Sequence, residues 1–184
     1  PSLRIFVTSY NSSGISLEGR ILDLVPGKNV TYPLVDLFSD NADIAWLSVE
    51  SNGPLSMYQK LMVKANQGVI IPARTSHDAA TGYLSTVHAA GQIPAEFVTL
   101  NPTSNPQIVT LFGLDAHGAI LAQTAFTTAP GETRTFTMKD LFREEEANRI
   151  HSLSLSSSGP FFASQRKQQT GYGTIEPLTP GPGT

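Results

Sequence analysis

Residues 11–38 read NSSGISLEGRILDLVPGKNVTYPLVDLF, and residues 115–142 read DAHGAILAQTAFTTAPGETRTFTMKDLF. Eight positions are identical at a constant spacing of 104 residues. After a two-residue insertion the spacing becomes 106, and seven further identities link residues 44–59 to residues 150–165. An internal repeat of this kind indicates one structural unit used twice. The eight identical residues of the first stretch are Gly14, Leu17, Pro26, Gly27, Thr31, Asp36, Leu37 and Phe38.

The identities concentrate at turn sequences. Pro26-Gly27 and Pro130-Gly131 suit type II turns, because proline sets φ at the second position and glycine takes the positive φ at the third. Residues 11–14 and 115–118 begin with Asn or Asp and end with Gly, as in a type I turn followed by a bulge. Each of these turns is therefore predicted to join two strands.

The segments between the turns alternate in polarity or are rich in β-forming residues, which predicts an all-β protein. One short charged segment, residues 139–148, looks helical, and its opening Asp-Leu-Phe is predicted to pack as a single turn. The first copy has predicted strands over residues 3–10, 17–25, 30–34, 45–50, 56–63 and 68–72. The second has them over residues 108–114, 120–127, 133–138, 151–156, 161–165 and 173–177.

Two further predicted strands, residues 83–89 and 95–101, have no counterparts before residue 3. The prediction is therefore two tandem antiparallel Ig-like β-sandwich modules, of which the first lacks its N-terminal strands. Either the sequence begins inside a module, or the missing strands come from elsewhere in the assembly, since an open sheet edge invites pairing with another chain. The predicted domains are residues 1–73 for the incomplete module, 74–178 for the second, and 179–184 for a Pro/Gly linker.

Composition excludes several classes of function. Hydrophobic residues make up 40% of the chain and charged residues 15%, which is enough to bury a core. The net charge of -3 and the scattered Lys and Arg argue against nucleic acid as a partner. No apolar stretch reaches the roughly 18 residues that membrane insertion needs. There is no cysteine, so disulfides, thiol catalysis and cysteine-ligated zinc are excluded.

Aromatic residues are the candidate binding groups. Strand alternation puts Leu47 and Val49 on the core face and Trp46, the only tryptophan, on the opposite face. Trp46 is predicted either to seal the junction between modules or to contact a glycan or protein partner. In the second case Trp46, Tyr58 and Tyr83 could together form a platform for carbohydrate or peptide.

Acidic residues after the first Asp-Leu-Phe are a weaker candidate site. Asp36, Asp40 and Asp43 lie close together in sequence, and calcium needs six or more oxygen ligands. Their spacing is not that of an EF-hand, so solvated charge is the favoured interpretation and calcium the alternative. No other cofactor is expected.

Catalysis is not expected either. Ser76-His77-Asp78 has the residue types of a serine triad, but neighbours on an extended chain point in opposite directions, whereas triad residues must converge. A hydrolase using His77 or His88 remains a third hypothesis. The histidines have no metal-ligand spacing.

Five segments together resemble a β-sandwich repeat of large secreted bacterial proteins. The resemblance covers nearly the whole chain but rests on turns and strand ends, so it implies fold and export more than activity. It implies a non-enzymatic structural or adhesive module at a bacterial surface or outside the cell, with neighbouring modules of the same parent protein as partners. A carbohydrate- or peptide-binding module of a secreted enzyme is the alternative. The segments are Phe97-Val98-Thr99-Leu100-Asn101-Pro102-Thr103-Ser104, Asp115 to Gly118, Ala129-Pro130-Gly131-Glu132, Ser157-Ser158-Gly159-Pro160, and the run from Trp46 to Leu55.

Overall fold

The computed structural model describes residues 2–39, 41–64, 67–86, 96–169 and 172–180. Most of these residues lie in antiparallel strands, so the predicted all-β class is confirmed. The strands are β1 (Leu3–Tyr10), β2 (Ser16–Leu24), β3 (Trp46–Ser51), β4 (Tyr58–Lys64), β5 (Gln67–Pro72), β6 (Ala80–Thr86), β7 (Glu96–Leu100), β8 (Gln107–Leu114), β9 (Ile120–Thr128), β10 (Thr133–Phe136), β11 (Ser152–Gln169), β12 (Tyr172–Pro177) and β13 (Thr179–Pro180). The helical turns are α1 (Leu34–Leu37), α2 (Met138–Leu141), α3 (Glu144–Ala147) and a 3-10 turn, Ser76–Asp78.

The strands β1–β5, residues 3–72, are called the first half. Here β1 is the central strand of an antiparallel sheet in the order β2-β1-β3. Because side chains alternate along a strand, β1 buries Ile5 and Val7 on one face and exposes Phe6 on the other. Phe38, which follows α1, packs against Ile5 and Val7 in a small core. The strands β4 and β5 form a separate hairpin.

The strands β6–β13, with the residues from 74 to 180, are called the second half. The long strand β11 connects its two groups of strands, in the orders β13-β6-β11-β8-β9 and β10-β7-β11-β12. The first part of β11 pairs with β6 and β8, and the second part with β7 and β12. The pairing with β6 shifts between Ser156 and Phe161, around Gly159-Pro160. Proline cannot donate to a ladder, which favours a change of partner there.

Both groups of strands line one core. Tyr83 of β6, Phe97 of β7 and Leu111 of β8 pack with Leu153 and Leu155 of β11, and each is 1% exposed or less. Two strand groups that share a core and the strand β11 form a sandwich-like arrangement.

The strands of the two halves pair in equivalent registers. Pairing of β1 with β2 begins at Leu3 and Leu24, and pairing of β8 with β9 begins at Gln107 and Thr128, so both partners are displaced by 104 residues. Both ladders have their irregularity before the last residue of the first strand. The β1–β3 pairing matches that of β8 with β11, and the β4–β5 hairpin matches β11–β12.

The turns explain this agreement. Gly14, Gly27, Gly118 and Gly131 all have positive φ, between 70° and 82°, as the turn sequences predict. The side chain of Asn11 accepts hydrogen bonds from the N–H groups two and four residues later, and Asp115 does the same in the second half. Equal turn geometry sets equal hairpin register.

Four predictions differ from the structure. The predicted strands of residues 151–156 and 161–165 are parts of one strand, β11. Residues 30–34 form no strand up to the start of α1, whereas their counterparts in β10 pair with β7. Residues 139–148 form the separate turns α2 and α3. Of the predicted linker 179–184, residues 179–180 instead form β13 and pair with β6, because the buried Leu178 anchors this part of the chain to the core, and residues 181–184 lie outside the described residues.

Candidate functional site: the contact between the halves

The two halves meet where the turn of residues 11–14 lies against the turn of residues 129–132. Each turn closes on itself: the Gly14 N–H donates to the Asn11 carbonyl at 3.1 Å, and the Glu132 N–H to the Ala129 carbonyl at 3.1 Å. Gly14 has φ of 80° and Gly131 has φ of 70°, a backbone conformation that residues other than glycine rarely adopt. Each turn therefore has a local hydrogen bond and a glycine conformation of its own.

The backbones of the two turns are in direct contact. A Cβ atom on Gly14 would lie 2.4 Å from the carbonyl oxygen of Pro130, and one on Gly131 would lie 3.0 Å from the Cα atom of Gly14. Beside them, the Thr133 N–H donates a hydrogen bond of 2.9 Å to the Ser12 carbonyl. Only glycine at position 14 permits so close an approach.

Trp46 links the halves a second time. Its indole ring stacks on Tyr10, with ring centroids 4.0 Å apart and an interplanar angle of 5°. Its Nε1–H donates to the Gly131 carbonyl at 3.0 Å. The counterparts of Tyr10 and Trp46 in the second half are Leu114 and Ser152, so the aromatic pair belongs to the first half alone. This combination of stacking and hydrogen bonding is typical of an aromatic residue at an interface.

The equivalent turns, residues 25–28 and 115–118, show no such contact at their glycines. Cβ atoms on Gly27 and Gly118 would have no described atom within 4 Å. The contact therefore uses one turn from each half, 11–14 and 129–132. Turn sequences predict backbone geometry but not which turns meet, and the sequence predictions missed Ser12, Gly14, Gly131 and Thr133 as contact residues.

A buried asparagine holds the second of these turns in place. Asn101 is 1% exposed, and its Nδ2 donates to the carbonyls of Asn105 at 2.8 Å and Ala129 at 3.1 Å. Its backbone carbonyl accepts a hydrogen bond from the Gly131 N–H at 2.9 Å, and its backbone N–H donates one to the Glu132 backbone carbonyl at 3.1 Å. The sequence predictions used Asn101 only as part of a resemblance, yet three of its hydrogen bonds, one of its side chain with Ala129 and two of its backbone with Gly131 and Glu132, fix the adjoining turn.

The three predicted aromatic residues do not form one platform. Tyr83 is 1% exposed and its hydroxyl donates to the Phe161 carbonyl at 2.6 Å, so its ring has no face open to a ligand. Tyr58 is 54% exposed on β4. Trp46 is half-buried against Tyr10. Strand alternation alone could not tell the buried tyrosine from the exposed one, since both stand in strands.

The structure describes two of the three predicted calcium ligands. Asp36 and Asp43 are exposed, and Asp40 lies outside the described residues. In the described ranges no group of three or more His, Asp or Glu side chains could hold a metal ion. The equivalent of Asp36, Asp140, caps α2: the Thr137 N–H and then the Thr137 hydroxyl donate to its carboxylate and lower its pKa. The Asp140 carboxylate thus stabilises the start of α2 by accepting hydrogen bonds from Thr137.

Asp78 has a similar local role. The backbone N–H and then the hydroxyl of Thr75 donate to its carboxylate and lower its pKa. Ser76 and His77 share its 3-10 turn. His88 lies outside the described residues. The Asp78 carboxylate therefore stabilises this turn through its hydrogen bonds with Thr75.

Comparisons with known proteins name no family. No protein family matches the sequence, and no curated protein matches it. A solved structure, that of Thermotoga maritima 1070, aligns with 58% of this chain and 99% of its own, at 10% identity and a TM-score of 0.43. A likeness this weak supports no conclusion about fold or function. No helix in the described part of the chain has the length and apolar character needed to cross a membrane.

Proposed function

We propose that the chain carries two tandem Ig-like β-sandwich modules of a secreted or cell-surface bacterial protein, with a structural or adhesive role. The first comprises residues 1–73 and the second residues 74–178. The equivalent strand registers of the two halves support the tandem arrangement. The proposed location rests on the resemblance to repeats of secreted bacterial proteins. The proposed partners are neighbouring modules of the same parent protein.

The observation that carries this proposal is the contact between residues 11–14 and 129–132. Backbone contact at Gly14, a hydrogen bond between Ser12 and Thr133, and the Trp46 hydrogen bond act together on one joint. Modules connected only by a linker move freely relative to each other. A joint with three contacts would instead hold two modules at a constant angle, which suits a spacer or a stalk.

The alternative, a carbohydrate-binding module, has less support. A sugar platform needs open aromatic faces. Tyr83 is buried, and Trp46 stacks on Tyr10 and donates its N–H within the chain. Tyr58 is the remaining exposed member of the predicted set.

A distance measurement between the halves tests the proposal. The chain has no cysteine, so Ile21→Cys and Glu145→Cys, both at exposed positions, can be labelled selectively with spin labels. We expect a narrow distance distribution in this labelled protein. Gly14→Val should broaden it, because the added side chain separates the turns, and Trp46→Ala should broaden it less. Gly118→Val is the matched control, since it has the same positive φ but faces no neighbour.

Two results would contradict the proposal. One is a distance distribution in the labelled parent protein that is as broad as in Gly14→Val, which would mean that the contact does not fix the halves relative to each other. Saturable binding on a glycan array that is lost in Tyr58→Ala would favour the carbohydrate-binding alternative.

A further inference from the structure

The segment that follows β3 differs chemically from its counterpart in β11. Its sequence is Ser51-Asn52-Gly53-Pro54, and the counterpart is Ser157-Ser158-Gly159-Pro160. The two segments have the same pattern of exposure, with Asn52 and Ser158 both exposed. An amide followed by glycine therefore stands in the first half where a hydroxyl followed by glycine stands in the second. Asn52-Gly53 is the only Asn-Gly pair in the chain.

The Asn52 side chain is held at the end of the ladder between β1 and β3. The Arg4 N–H donates a hydrogen bond of 2.9 Å to Oδ1 of Asn52, and the Asn52 N–H donates one of 3.2 Å to the Arg4 carbonyl. In the second half the Ile108 N–H donates to the Ser158 hydroxyl oxygen at 3.1 Å. The two side chains thus have the same structural role, and this role does not require an amide.

An Asn-Gly pair can undergo a reaction that a Ser-Gly pair cannot. The backbone nitrogen of the glycine attacks Cγ of the asparagine and forms a bond to it. The bond between Cγ and Nδ2 breaks, and ammonia leaves with the proton of the glycine nitrogen, which closes a cyclic succinimide. Water then adds to one of the two carbonyl carbons of the ring and leaves aspartate or isoaspartate. Glycine favours the attack because it has no Cβ beside the nitrogen and its backbone rotates most freely.

Three observations favour this reaction at Asn52. Its side chain is exposed, so water reaches the amide. Among the described residues none accepts a hydrogen bond from the Gly53 N–H, so this nitrogen is available for the attack. The Arg4 N–H lies 2.9 Å from Oδ1, the atom on which negative charge develops when Cγ is attacked. A backbone N–H at this distance stabilises such a charge.

We propose that Asn52 is a site of spontaneous deamidation through a succinimide, and that the equivalent position of the second half is resistant because it carries Ser158. The site lies at one end of the β1–β3 ladder, next to the pair Ile5 and Ser51, whereas Tyr10 and Trp46 lie at the other end. The proposal is therefore independent of the joint between the halves.

The modification changes how β3 ends. A carboxylate replaces a neutral amide, and isoaspartate adds one carbon to the main chain between residues 52 and 53. A Cβ atom on Gly53 would lie 2.9 Å from Cδ1 of Leu3, so the backbone has little room to shift there. Leu3 packs against the small core that contains Ile5 and Phe38. We therefore expect the isoaspartate form to unfold at a lower denaturant concentration than the unmodified protein.

Ageing the purified protein at mildly alkaline pH tests the proposal. Each conversion adds one negative charge to the net charge of -3, so anion-exchange chromatography separates the product. Peptide mapping by mass spectrometry locates the change, and enzymatic methylation of isoaspartate identifies the product with the longer main chain. We expect deamidation at Asn52 to be at least about tenfold faster than at the asparagines followed by other residues.

Three variants separate the parts of the site. Asn52→Ser copies the second half and keeps an acceptor for the Arg4 N–H, so we expect no acidic product from this position. Gly53→Ala keeps the amide but places a Cβ beside the attacking nitrogen, which should slow the reaction at least about tenfold. Ser158→Asn creates an Asn-Gly pair at the equivalent position and should add a second site. Circular dichroism checks that each variant is folded.

Two results would overturn the inference. One is an Asn52 amide that stays intact while asparagines elsewhere in the chain are converted. The other is an acidic product that accumulates in Asn52→Ser as fast as in the parent protein. Neither readout depends on the label distance between the halves, so this inference and the proposed joint fail separately.

Discussion

The first and second halves share their strand pairing but not their burial. Leu3 and Leu24 begin one ladder as Gln107 and Thr128 begin the other. Yet the core of the first half has three buried hydrophobic residues among those described, whereas that of the second draws on β6 to β11. Register follows from the turn that joins two strands. Burial depends on how many strands cover a face, so the same local sequence can produce two cores of different depth.

Truncating equivalent leucines should produce the largest difference between the halves. Leu153→Ala removes a fully buried side chain and should lower the free energy of unfolding by roughly 2–5 kcal/mol. Leu47→Ala removes a partly buried one and should cost about 1 kcal/mol, since less contact is lost. Denaturant titration followed by circular dichroism measures both. Equal losses would show that the first half has a core as complete as the second.

Two of the turn glycines, Gly118 and Gly14, allow the cost of backbone strain to be measured apart from the cost of the contact between the halves. Gly118→Ala places a side chain at φ of 82° with no neighbour, which should cost about 1–2 kcal/mol. Gly14→Ala has the same strain and also places its Cβ against Pro130, which should add about 1–3 kcal/mol. The free energy of unfolding from denaturant titration gives both values. If the two variants lost the same amount, the contact between the halves would contribute nothing to stability.

Much of the fold could be predicted from the sequence because turns are local. Pro-Gly and Asn-Ser-Ser-Gly restrict φ and ψ within four residues, and strand alternation is equally local. The predicted strand of residues 30–34 is wrong because strand formation there depends on a partner, which β7 supplies only for β10. The burial of Tyr83 and the docking of Gly14 on Pro130 depend on which surfaces meet, and no local pattern carries that information.

The smallest expected effect compares the turns that begin with Asn11 and Asp115. N–H groups of Ala119 and then His117 donate to the Asp115 carboxylate and lower its pKa below the ordinary value. A carboxyl whose pKa is lower in the folded state stabilises the fold above its unfolded pKa, and this stabilisation is lost as pH falls toward the folded pKa.

Asp115→Asn copies the turn of Asn11, whose Oδ1 accepts two equivalent hydrogen bonds without titrating. We therefore expect Asp115→Asn to change stability little at neutral pH and to lose less stability than the parent protein as the pH falls from neutral to below the ordinary pKa of an aspartate. Thermal unfolding across this range measures it, with Asp43→Asn, at an exposed position, as the control. An unchanged acid response in Asp115→Asn would mean that the carboxylate gains nothing from its turn, and that Asn and Asp serve the two halves alike at every pH.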